Sequence, residues 1–133
     1  MNGIAIGNIR EELEGILSSA PAPARAISTI NLLAEIADDI ATLTIMVDEQ
    51  ALELEDIEAR LVKEVQEATD ENGKKLYTNE ASRKAALVQI KRESQRWMEL
   101  HESITKVDAE IGRLKRYSSI LTHTLSLIEG GRI

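Results

Sequence analysis

Residues 97–128 read WMELHESITKVDAEIGRLKRYSSILTHTLSLI. Trp97, Ile104, Ile111, Ser118 and Leu125 recur every seven residues, and so do Leu100, Val107, Leu114, Leu121 and Ile128. Together the two rows alternate steps of three and four without a slip. That period belongs to a helix that turns one apolar seam toward a partner helix. Gly130-Gly131 stop it. Gly112 lies inside the run at a cost of ~1 kcal/mol against Ala, so it marks either a close helix approach or a tolerated surface position.

Upstream, Thr78 or Asn79 offers an N-cap, and the second long helix is expected over 79–129. Residues 69–78 hold Asn72-Gly73, a strong turn signal. A first long helix is expected over 24–68. Its heptad places Ile30, Ala37, Thr44, Ala51, Glu58 and Val65 on one core row. Leu33, Ile40, Val47, Leu54, Leu61 and Ala68 form the other, and Ile36, Leu43 and Ile57 widen the stripe. Leu32, Ile45, Met46 and Leu52 fall off it and suggest a second contact surface. Before Pro21 and Pro23, a short helix is expected over 8–18, capped by Asn8 and carrying Ile9, Leu13, Ile16 and Leu17. The whole, 1–133, reads as a single helical domain. Its class is all-α: a long antiparallel helical hairpin, or coiled coil, with a short N-terminal helix. Nearly equal arms joined by a short loop force the antiparallel pairing. The surplus apolar surface points to a homodimer or higher homo-oligomer, assembled as a helical bundle, unless the short N-terminal helix folds back through Ile9, Leu13, Ile16 and Leu17 to cover it.

Composition agrees. Aromatic residues are 2% of the chain, with no Phe, so the core must come from Leu, Ile, Val and Ala. There is no Cys, which excludes disulfides and thiolate metal sites and suits a reducing compartment. Met1 to Arg10 shows no basic stretch leading into an apolar run, and no apolar run approaches the ~20 residues of a membrane span. A soluble cytoplasmic protein, away from membranes, is expected.

Charge is unevenly spread within a net of −7. Residues 35–71 hold thirteen Asp/Glu and two Lys/Arg, whereas residues 74–116 hold eleven Lys/Arg and six Asp/Glu. The basic positions Arg83, Lys84, Lys91, Arg92, Arg96, Arg113, Lys115 and Arg116 suit either phosphate contacts or pairing with the acidic arm. Pairing is the simpler reading, because no aromatic residues interleave with the cations to stack bases. Direct nucleic-acid binding is therefore not expected.

Machinery for catalysis is scarce. His101 and His123 have no second His four residues away, and Met98 and Ile120 stand where a Glu-x-x-His pair needs Glu. No glycine-rich phosphate loop or nucleophile elbow is present. No catalytic residue, metal ligand or cofactor is assigned, and a non-enzymatic protein is expected.

The tip, DENGKKLYTNEASRKAAL over residues 70–87, is longer than a bare helical hairpin needs. Tyr77, Asn79, Glu80 and Arg83 are expected to form a polar cluster that locks it, or else to contact a partner. The segment resembles a group of small bacteriophage and prophage coiled-coil proteins with a turn of the form D-E-x-G-K-x-x-Y-S/T-N-E-x-x-R-x-x-A-L. The resemblance covers about a third of the chain well and leaves out the N-terminal 25 residues. It implies phage origin, hence the host cytoplasm, and a hairpin fold, but no activity. A small acidic phage protein without catalytic machinery suits an inhibitor that binds a host nuclease or defence complex. Glu53, Glu55, Asp56 and Glu58 of its acidic arm would imitate a phosphate track. The alternatives are an accessory factor of phage DNA recombination or replication and a virion scaffolding coiled coil.

Overall fold

Leu, Ala, Glu and Ile dominate residues 22–67, with Pro23 in the first turn, where its missing N–H costs nothing. In the computed structural model they form one helix, α1 (Ala22–Glu67). The structure describes Glu11 and residues 22–132, and the expected helix over 8–18 lies outside this range apart from Glu11. Two further helices follow, α2 (Glu80–Glu93) and α3 (Gln95–Glu129). No strand occurs among the described residues; an isolated bridge joins Thr69 and Lys75. The chain divides into two compact units, Met1–Met46 with Val107–Ile133, and Val47–Lys106.

In the first unit Thr29, Leu32, Ile36, Asp39 and Leu43 of α1 are buried, together with Ile111, Leu114, Leu121, Thr124 and Ile128 of α3. On α3 these are largely the rows read from the heptad. On α1 the buried row lies one residue earlier than expected: Ile30, Ala37 and Thr44 are exposed, and Leu33 and Ile40 are half-buried. Leu32, expected off the seam, is in the core. The physical reason is that Thr29 and Asp39 occupy core positions while Ile27, Ile30 and Ile45 face outward. Hydropathy alone therefore phases the helix ~100° away from its true seam. Thr29 is tolerated there because its hydroxyl donates to the Arg25 carbonyl at 2.8 Å. Gly112 brings no helix close, since a Cβ at that position would meet only the end of the Arg116 side chain, 3.6 Å away.

In the second unit Ile57, Leu61 and Leu100 form a small buried cluster, with Leu54, Leu87, Ile90 and Trp97 packed on it. Here the expected rows of α1 hold, with Leu61 and Val65 buried. Cross-helix partners run in antiparallel order: Gln50 with Ser103, Glu53 with Arg96, and Glu58 with Lys91. Leu52 remains 65% exposed, as does Ile45 of the first unit at 60%.

The tip is a tight turn closed by the isolated Thr69–Lys75 bridge. The Gly73 N–H donates to the Asp70 carbonyl and the Asp70 N–H to that of Lys74. Gly73 has φ +77, and among the described residues none other than glycine has positive φ. This is a turn closed by a left-handed glycine, so only Gly73 of the Asn-Gly pair uses the freedom that both offer. The Asp70 carboxylate accepts from the N–H groups of Asn72 and Lys74, at 2.8 and 3.0 Å.

The second long helix is not continuous. The expected 79–129 segment breaks at Ser94, whose φ −81 and ψ 106 are extended. Its N–H still bonds back to Ile90 and Lys91, and its hydroxyl accepts the Trp97 N–H at 3.3 Å. Ser94 thus ends α2 and caps α3. The heptad read from the sequence begins at Trp97, just past this break.

Candidate functional site

The break at Ser94 re-aims the chain at the start of α3, and the densest polar contacts of the Val47–Lys106 unit gather beside it. Trp97, which the heptad marks as packing, is a hub. Its indole N–H donates to Glu58 at 3.0 Å, and its ring stacks on His101 with centroids 4.8 Å apart and planes 9° from parallel. The Lys91 ammonium lies 5.4 Å from the ring centroid and 3.4 Å from the Glu58 carboxylate. Glu58 therefore binds both Trp97 and Lys91.

One helical turn toward the start of α1, Glu53 receives two parallel bonds from Arg96, 2.7 and 2.8 Å long. The Arg96 hydrogen bonds, helped by the charges of Arg96 and Arg60, hold the Glu53 carboxyl below its ordinary range. The same pairing raises Arg96, which also lies 3.7 Å from Glu99.

The seven residues picked out from the sequence separate into three sets. Glu53 is already bound to Arg96 of α3 and Glu58 to Lys91 of α2. Glu55 and Asp56 are exposed and make no ion pair among the described residues. Tyr77, Asn79 and Arg83 do not form the expected polar cluster with Glu80. Asn79 exchanges capping hydrogen bonds with Ser82, and Glu80 pairs with Lys84 at 3.2 Å. Tyr77 is half-buried, and Arg83 lines a cleft with Glu80, Val62, Val65, Gln66, Lys84 and Leu87 without an ion pair to Glu80. The correction has a physical basis: short side chains next to the backbone lock the tip, because they lose less rotamer freedom than Tyr or Arg would. Asp70 does most of it. Its signal was legible, since an Asp can accept from the backbone two residues on, and Asp70 stands two residues before the Asn72-Gly73 turn.

Among the described residues no group of three or more His, Asp or Glu is placed to hold a metal ion. No described helix is long and apolar enough to cross a membrane. Comparison with protein-family models, curated proteins and solved structures gives no match. The class that the structure defines is therefore an all-helical protein.

Proposed function

We propose that the chain is a non-enzymatic, phage-encoded interaction protein that acts by occupying a partner, and that the partner is a host nuclease or defence complex. The observation that carries the reading is the unspent negative charge on α1. Asp48, Glu49, Glu55 and Asp56 are exposed and make no ion pair among the described residues, whereas Glu53 and Glu58 are neutralised by Arg96 and Lys91. A face that keeps its charge after internal pairing can present carboxylates to a basic, phosphate-binding groove. The exposed Ile45 supports pairing with a second copy into a helical bundle.

The test is affinity capture from host cells with mass spectrometry. It compares the natural chain with a variant carrying Asp48→Asn, Glu49→Gln, Glu55→Gln and Asp56→Asn. The expected outcome is capture of a nuclease or defence protein by the natural chain and its loss in the variant, with helical circular dichroism unchanged. Equal capture by both overturns the mimicry. A recombinase among the captured proteins favours a recombination accessory factor, and a capsid protein favours a scaffold.

A further inference from the structure

We propose that the cleft lined by Val88, Lys91, Arg92, Trp97, Met98 and His101 docks a short acidic–apolar peptide segment of a protein partner. It is distinct from the acidic face of α1, because its occupant must carry negative charge rather than positive.

The cleft exists because of Ser94. Val88, Lys91 and Arg92 come from α2, whereas Trp97, Met98 and His101 come from α3. Its walls are apolar and open: Val88 is 50% exposed and Met98 43%. Methionine adapts to irregular apolar guests. Between them Trp97 is held by three contacts, the Glu58 carboxylate, the His101 ring and the Lys91 ammonium. A large side chain fixed before binding spares the occupant the cost of ordering it.

Charge selects the occupant. Lys91 is committed to Glu58, and Arg96 to Glu53 and Glu99. Arg92, on the rim, is exposed and has no ion pair among the described residues. A carboxylate beside an apolar side chain satisfies both features: the acid meets Arg92 and the apolar group meets Val88, Trp97 and Met98. A nucleic acid fits less well. Its backbone needs several unspent cations in a row and its bases need a free aromatic face. The rim offers one such cation, and the Trp97 ring already carries His101 and Lys91.

Trp97 is the chain's single tryptophan, so its emission reports on this cleft alone. The probe is the blocked peptide Ac-Glu-Leu-Glu-Glu-Leu-Leu-Glu-NH2, with a control in which each Glu is replaced by Lys. The expected result is a saturable change in emission with the acidic peptide, at a Kd on the order of 10–100 μM. Little change is expected with the lysine peptide. Arg92→Glu weakens binding at least about tenfold, and Val88→Ser weakens it with the charge intact. Both positions are exposed, and far-ultraviolet circular dichroism verifies that each variant is folded. The proposal is overturned by no saturable change up to about 1 mM peptide, by an equal response to the lysine peptide, or by unchanged binding in Arg92→Glu. A saturable response to a single-stranded oligonucleotide without one to the acidic peptide also overturns it.

Discussion

The two units of this chain are stabilised differently. Met1–Met46 with Val107–Ile133 buries ten described residues, seven of them Leu or Ile, and its buried hydroxyls bond to their own helix. Val47–Lys106 buries Ile57, Leu61, Val65 and Leu100, and surrounds them with Glu53–Arg96, Glu58–Lys91, Glu58–Trp97 and Gln50–Ser103 contacts. One unit rests mainly on apolar burial, which is strong and indifferent to partner geometry. The other adds directional contacts, which are weaker but fix register. The acidic face and the cleft proposed for partners lie in the second, whereas the exposed Ile45 lies in the first.

The largest expected effect tests the first half of that contrast. Leu121 is fully buried, so Leu121→Ala should lose about 2–5 kcal/mol in urea unfolding. A loss below ~1 kcal/mol, the size of a net hydrogen bond, would break the comparison.

A smaller effect is expected at the tip. Gly73→Ala places a Cβ where nothing lies within 4 Å, but at φ +77. The cost is therefore conformational, about 1–2 kcal/mol, read as a lower urea midpoint at unchanged slope. No change in midpoint would mean that the turn relaxes and does not hold the unit's register.

The smallest effect is one of pH. Glu53 is depressed in the folded protein by Arg96, so its contribution is present above the unfolded carboxyl's ordinary range and is lost as pH falls through the folded value. The melting temperature of the natural chain should exceed that of Glu53→Gln at pH 7 by a small margin, and the gap should narrow as pH falls below the ordinary carboxyl range. A gap that persists in acid would assign the difference to packing instead of charge.

The sequence made much of this architecture legible where apolar side chains coincide with buried positions. Leu100, Ile111, Leu114, Leu121 and Ile128 do so, and the α3 seam follows from them. It was misleading along the first half of α1, where Thr29 and Asp39 are buried and Ile27, Ile30 and Ile45 are not. Periodicity reports where apolar residues lie, whereas packing chooses among faces that differ by one residue. The break at Ser94 was missed because a serine inside a helical pattern is weak evidence, and its capping of Trp97 depends on backbone geometry. The two spent carboxylates were indistinguishable from Glu55 and Asp56 until their cross-helix neighbours were in place.

The order of contacts away from the tip also bears on how the Val47–Lys106 unit assembles. Asp70 reaches Lys74 across four positions, whereas Glu58 meets Trp97 across 39, Glu53 meets Arg96 across 43 and Gln50 meets Ser103 across 53. Once the inner contacts exist, each outer one closes a loop only slightly longer than the last. By the logarithmic law, going from 39 to 53 residues adds about 0.3 kcal/mol of closure entropy. The chain can close like a zipper from Asp70 outward, its long-range contacts made nearly local by those formed before them. The strain of Gly73→Ala then falls on the earliest step and slows refolding more than it speeds unfolding.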